Sequence, residues 1–236
     1  MNAGPLGRAQ SIARTSAGRL DSVPRVSSTP AAATGPDLGG LPNGRVPRAL
    51  REEQLLDTAL SLFAASGYEA TSIVDIAAAA AVTRPVVYRH FGSKDGIYLA
   101  CLRRARSELD ERLASAVAPE TDAEQRLRAG IAAYFSFVEE HGREWDVLFG
   151  GGMPNDGPAA EGANEMRHRT SALLTGLLKA SAPDVDAQRL EVFGSALNGM
   201  GVELARWWRR HPDLTRDEMV EHYFALCWDG LRVYVP

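Results

Sequence analysis

SIVDIAAAAAVTRPVVYRHFGSK, residues 72 to 94 of the chain, encodes two short helices joined by a tight turn. Ile73, Ile76, Ala77 and Ala80 fall at i, i+3, i+4 and i+7, the spacing of one apolar helical face. Ser72 stands three residues before Asp75, so hydroxyl and carboxylate can each bond the other's backbone N–H as a capping box. After Ala81 and Val82, Thr83 can open a second helix. Its early Pro85 is tolerated there because first-turn amide hydrogens have no intrahelical partner. The pattern predicts a helix-turn-helix.

The second helix carries the functional reading. At about 100° per residue, Val87 and Phe91 face the first helix, while Pro85, Val86 and Arg89 point away from it. Arg84 lies at the N-terminal end, with Tyr88 and His90 on the flanks. That free surface suits a DNA major groove. Arginine can bond a guanine edge in bidentate fashion, small apolar groups can meet a thymine methyl, and Tyr, His and Lys can hold phosphates. An ordinary helical hairpin would also keep its charges outside, but it has no need of Val86 there.

The longer run QLLDTALSLFAASGYEATSIVDIAAAAAVTRPVVYRHFGSKDGIYLAC, from Gln54 to Cys101, resembles the DNA-binding domain of the TetR family of bacterial transcriptional regulators. The matching parts are the LLDTALSLF helix, the GYEATS connection, the DIAAAA helix, the VTRPVVYRHF recognition helix and the GSKD start of the next helix. They cover about a fifth of the chain. The resemblance implies a homodimer that places one recognition helix per subunit on DNA. It also implies a helical C-terminal domain that usually binds a small molecule and so alters DNA affinity. Carried over by position, Arg84, Pro85 and Val86 reach bases, whereas Tyr88, His90 and Lys94 hold phosphate. Ser72 and Thr83 match capping residues near the DNA backbone, and Arg89 is a further base or phosphate contact. Ser72 and Thr83 can equally be plain helix caps, and the Tyr88 ring can serve packing. Two positions depart from the family pattern. Ala81 stands where glycine is frequent, so the turn either avoids positive φ or stores strain. Gly96 sits in the first turn of the fourth helix, where a better helix former is usual.

Composition is consistent with a cytoplasmic regulator. A hydrophobic fraction of 45% is that of a globular chain, no apolar run is long enough to span a membrane, and the N-terminus lacks a secretory apolar segment. The net charge of −4 looks wrong for a DNA binder until the chain is divided. Residues 1–104 hold twelve Lys or Arg against eight Asp or Glu, and residues 105–236 fourteen against twenty-two, so the two parts carry +4 and −8. The basic part contains the reader, and phosphate would repel the acidic part, which orients the molecule. Residues 1–42 are rich in Ala, Gly, Ser and Pro, with arginines at intervals. We read this segment as a disordered extension, either a dispensable tail or a basic arm. Cys101 and Cys227 read as buried thiols. The five histidines show no ligand spacing, so neither metal nor cofactor is indicated. No nucleophile, base and orienter share a motif, which argues against an enzyme.

The remainder reads as helix, giving an all-α chain. It divides into a three-helix helix-turn-helix domain over 43–92 and a helical ligand-binding and dimerisation domain over 93–236. The first helix runs from about Pro47 to Ser66, with Leu56, Ala59, Leu60, Phe63 and Tyr68 in the core. A fourth helix runs from Ser93 to about Val117. Thr121 and Glu124 form a capping box for a fifth helix ending near His141. A short helix follows at Trp145 to Phe149, then a loop at Gly150 to Pro154, and a seventh helix from Ala160 to Ala182. Leu190, Phe193, Leu197, Met200, Leu204 and Trp207 repeat at alternating three and four residues, a heptad seam. Beside them Gly194 and Gly201 mark a close helix approach or room for a ligand. Thr215 and Glu218 cap a last helix bearing Val220, Tyr223, Phe224 and Cys227. These last two helices are the expected dimer interface, as half of a four-helix bundle, unless the seam is buried within one subunit. Tyr134, Phe137, Trp145, Phe149, Met166, Leu173, Leu174 and Met200 are expected to line a mainly hydrophobic pocket, with Tyr134 or Asn198 as its polar contact. The reading is a repressor released from a near-palindromic double-stranded operator by a small ligand. An activator, or a ligand-independent DNA-binding dimer of the same fold, is the alternative.

Overall fold

The computed structural model describes residues 46–150 and 152–232, so the expected disordered segment 1–42 lies outside the described residues. Among the described residues every regular element is an α-helix, in the order α1 (Arg48–Ala70), α2 (Ile73–Ala79), α3 (Arg84–Phe91), α4 (Lys94–Val117), α5 (Ala123–Glu140), α6 (Gly142–Phe149), α7 (Gly157–Ser181), α8 (Ala187–Trp208) and α9 (Arg216–Leu231).

The first three helices form the small unit that the pattern predicts. Leu55, Ala59, Leu60 and Phe63 are the buried stripe of α1. Leu56, expected inside, is only partly buried, because that stripe places Leu55 innermost. In α2, Ile73, Ile76 and Ala77 are buried, and the capping box is complete: Ser72 Oγ accepts from Asp75 N–H at 3.2 Å while Asp75 accepts from Ser72 N–H at 2.9 Å. The turn that follows resolves the alternative posed by Ala81. Ala81 takes φ 52°, Val82 N–H reaches back to Ala77 C=O at 2.9 Å, and Ala81 N–H to Ala78 C=O at 3.1 Å. That is a Schellman ending built with alanine in the left-handed position that glycine usually fills, so the turn stores strain. Thr83 is the N-cap of α3, but its side chain makes no capping bond.

Gly96 has a different role from the one its helix propensity suggests. Ser93 Oγ caps α4 by accepting Gly96 N–H at 2.9 Å, and a Cβ on Gly96 would lie 1.9 Å from the Phe91 carbonyl oxygen. The glycine lets the end of α3 lie against the start of α4. A second glycine device ties the helix-turn-helix to the rest of the chain. Gly67 (φ 79°) interrupts α1 near its predicted end, and Gly152 (φ 91°) lies in the loop between α6 and α7. Gly152 C=O accepts Tyr68 N–H at 2.7 Å, and a Cβ on Gly152 would stand 2.9 Å from Gly67 Cα. Only residues without side chains, both in the left-handed region, allow that backbone contact.

In the remaining helices α4 is the shared wall, packing against α1, α5, α6 and α7. The cap of α5 is one residue later than predicted: Asp122, not Thr121, accepts from Gln125 N–H at 3.0 Å. Thr215 and Glu218 form the predicted capping box of α9. The largest departure concerns the expected dimer seam. Leu190 and Gly194 are buried within the chain where α8 lies on α7, and Leu197 and Gly201 are buried beside Tyr223 of α9. Val220, Tyr223, Phe224 and Cys227 are buried too, where α9 lies on α5. Phe193 and Leu204 are partly buried against the same core. Gly194 permits the α7 contact, since a Cβ there would meet Ser171 C=O at 2.9 Å. The buried part of the seam is therefore intrachain packing, and among the described residues the large apolar side chains left exposed on these helices are Val192, Leu226 and the seam's own Trp207.

Candidate DNA interface and ligand cavity

The geometry of α3 follows from one residue. Val87 is fully buried, which stabilises the packing by about 1.5–3 kcal/mol and fixes which face remains outside. Thr83, Arg84, Pro85, Tyr88 and Arg89 are all exposed, and Tyr88 is half exposed despite its large ring. Among the described residues neither Arg84 nor Arg89 has an acidic partner within ion-pair distance. Two unpaired guanidiniums and a phenol on one short helix face can meet phosphates and base edges without first breaking an internal bond.

Three predicted contacts are placed differently. The His90 side chain is only 8% exposed and points toward α1, with Nδ1 3.7 Å from Glu52, so it is withdrawn from the outer face rather than flanking it. Val86 is partly buried against the core and does not stand free. Lys94, the first residue of α4, lays Nζ 4.0 Å from the centre of the Tyr68 ring and 3.4 Å from Glu69 C=O. Tyr68 hydroxyl in turn donates to Asp95, and burial with that carboxylate pushes the phenol well above its ordinary range. The Lys94 charge is thus positioned by the same Tyr68 whose backbone meets Gly152. Ser72 remains at the N-terminus of α2 as a cap, and its hydrogen bonds hold Asp75 below the usual carboxylate range.

A cavity of about 120 Å³ lies between α4, α5, α7, α8 and α9. Of the residues expected to line it, Tyr134, Leu174 and Asn198 do. Phe137, Trp145 and Phe149 do not, because they are buried in the solid core beside α4 and α6. Met166 and Met200 are partly buried against that core, and Leu173 is on the surface. Tyr134 hydroxyl accepts from Trp145 Nε1–H at 2.9 Å and Tyr223 hydroxyl donates to Leu197 C=O at 2.6 Å; burial raises both phenols, for Tyr134 against the lowering effect of the Trp145 bond. The sequence reading missed Leu127, Ile131, Thr170 and Arg126, which also line the cavity. The signal was Gly130, a glycine inside α5 that itself lines the cavity. Cys101 and Cys227 are buried thiols pushed up to about 12 by desolvation. Among the described residues no cluster of His, Cys, Asp or Glu could hold a metal ion, and no helix is long and apolar enough to cross a membrane.

Comparison with known proteins agrees with this arrangement. The profile for "Bacterial regulatory proteins, tetR family" matches residues 55–101, and that for "Tetracyclin repressor-like, C-terminal domain" matches residues 123–230. The HTH-type transcriptional activator FasR of Mycolicibacterium smegmatis is 31% identical over 201 residues, covering 84% of this chain and 90% of the relative. The HTH-type transcriptional repressor KstR2 of Rhodococcus jostii is 28% identical, covering 77% of this chain and 91% of its own. A crystal structure of a TetR-like regulator from Rhodococcus sp. RHA1 has a TM-score of 0.67 at 31% identity, with 80% of this chain and 99% of that one covered. AibR, solved in complex with isovaleryl coenzyme A and operator DNA, shares the fold at a TM-score of 0.63 and 21% identity, with 75% of this chain and 97% of that one covered. Such proteins are transcriptional regulators and not enzymes. With its exposed α3 face, its all-helical body and a relative matched over most of both lengths, the chain belongs to the TetR family of bacterial DNA-binding transcriptional regulators.

Proposed function

We propose that the protein is a cytoplasmic homodimeric repressor that leaves a near-palindromic operator when a small, mainly hydrophobic ligand enters the cavity. In this reading residues 43–92 read DNA and residues 93–236 bind the ligand and the second subunit. The observation that carries it is the outer face of α3, where Arg84 and Arg89 stand exposed over the buried Val87. Arg84 and Pro85 meet bases, while Thr83, Tyr88, Arg89 and Lys94 hold the backbone. The dimer forms through the outer faces of α8 and α9, where Val192 and Leu226 are 60% and 64% exposed and no longer compete with intrachain packing. AibR, with both a ligand and an operator, supports the idea that this fold can respond to a small molecule. A second reading, activation, is favoured by the likeness to the activator FasR.

Footprinting on genomic DNA tests the proposal. It should protect a near-palindrome with half-sites spaced by about one helical turn or a simple extension of it. A reporter driven by the protected promoter then separates repression from activation by the sign of its change on deletion of the gene. Protection of a single asymmetric half-site would contradict the dimer.

A further inference from the structure

The cavity has a direction that its apolar lining alone does not show. Along α5 it is lined from Ala123 to Tyr134, and along α7 from Thr170 to Ser181, each an eleven-residue step on one helical face. At 1.5 Å per residue both walls extend about 16 Å. A cavity of about 120 Å³ with its lining drawn out over that length is elongated along α5 and α7, and about 16 Å is the length of an extended alkyl chain of roughly a dozen carbons.

The two ends of the channel differ. At the inner end stand Tyr134, Tyr223 and Asn198, all uncharged. At the other end, where α4 stops, α5 begins and α7 stops, stands Arg126. Its guanidinium is partly buried and bonds only neutral acceptors, Ser181 Oγ at 3.2 Å and the Glu120 carbonyl at 2.7 Å. Among the described residues no carboxylate lies within ion-pair distance of it, whereas Arg128, two residues on, is paired with Glu124 and Glu221. Asp122, the nearby acid, is occupied as the cap of α5. A partly buried cation in the lining of an apolar cavity, without a counter-charge among the described residues, lacks the partner that such groups ordinarily have.

Building on the ligand-responsive reading above, we propose that the effector is an anionic amphiphile. An oxyanion head, carboxylate or phosphate, is held by Arg126 and Ser181, and a single unbranched apolar tail runs between α5 and α7 toward Tyr134 and Asn198. Arginine suits either head because its planar fork matches both geometries.

Calorimetric titration of the full chain with decanoate, decyl phosphate and 1-decanol tests this directly, since the probes share a tail and differ in head. At least one anion should bind about ten- to hundredfold more tightly than the alcohol, as a charge-assisted bond implies, and the tighter one identifies the head. Arg126→Gln, which retains a donor for Glu120 C=O, should remove that margin and leave decanol affinity unchanged, while Arg126→Lys should retain part of it. Shortening the tail should weaken binding about fourfold per methylene. Decanol binding as tightly as both anions, or a margin that survives Arg126→Gln, overturns the head-group assignment while leaving a cavity ligand intact. Anion binding undiminished by Leu174→Trp, which fills the channel, overturns its location. Failure of the wild-type protein to bind any of the three sinks the cavity reading itself, and this assignment with it.

Discussion

Arg84 and Lys94 bring positive charge to the same end of the molecule in different ways. Arg84 is exposed on α3 without an acidic partner among the described residues, whereas Lys94 is held against the Tyr68 ring and the Glu69 carbonyl. A charge positioned in that manner can hold phosphate but carries no sequence information. Lys94→Ala should therefore weaken binding to all DNA sequences alike and reduce the salt slope by about one. Sequence-dependent losses in a gel-shift series would contradict that role. Gly96 offers a test in which two physical effects have opposite signs. Helix propensity alone predicts that Gly96→Ala stabilises by about 1 kcal/mol. The Phe91 carbonyl, 1.9 Å from where the new Cβ would stand, predicts destabilisation instead, by about 1–3 kcal/mol as for other overpacked sites. Urea denaturation of the two proteins decides between them, and a raised midpoint would mean that the α3–α4 junction yields easily.

The capping box of α2 connects one element to pH. Hydrogen bonds from Ser72 lower the Asp75 carboxyl below its ordinary 3.8, so the ionised form is favoured in the folded state. The sign follows: this contribution is complete above the ordinary carboxylate value and is lost as pH falls through the lower folded value. The thermal midpoint of Asp75→Asn should therefore lie below that of the wild-type protein near neutrality, with the gap closing as pH drops below 3.8. A gap that is constant with pH would remove the carboxylate from the cap. The helices themselves were largely legible, because α2, α3, α4 and α9 announce their starts with Ser72, Thr83, Ser93 and Thr215. Their partners were not. The apolar stripe of α8 shows that Leu190 and Leu197 are covered, but a one-helix pattern cannot say whether within the chain or by another subunit, and within the chain Leu190 lies on α7 and Leu197 beside Tyr223 of α9. In the same way Phe137 and Trp145 have the composition of a pocket wall and the packing of a core. On the reader, the helical angle placed Val87 correctly, but not His90, whose flexible side chain turns toward Glu52.

Across the whole molecule, charge and surface point the same way. Residues 105–236 carry a net −8, so phosphate repels that body and favours approach by the helix-turn-helix. Gly67 and Gly152 fasten the reader to the α6–α7 loop through backbone contact, and Lys94 lies on the neighbouring Tyr68. If two subunits join through the outer faces of α8 and α9, Leu226→Asp should leave the helical circular dichroism of the chain unchanged, since the side chain is 64% exposed in one chain, while lowering the thermal midpoint by the stabilisation that association supplied. It should also halve the mass seen in sedimentation and weaken operator binding. An unaltered dimer would move the interface elsewhere. The central claim, that the outer face of α3 reads sequence, is tested most directly by selecting bound duplexes from a random library with wild-type protein and with Arg84→Ala. The wild type should enrich a near-palindrome, and the variant should lose preference at one position of each half-site, at a cost of roughly 1–3 kcal/mol there. Identical enriched sequences for the two proteins, or none for the wild type, would contradict it.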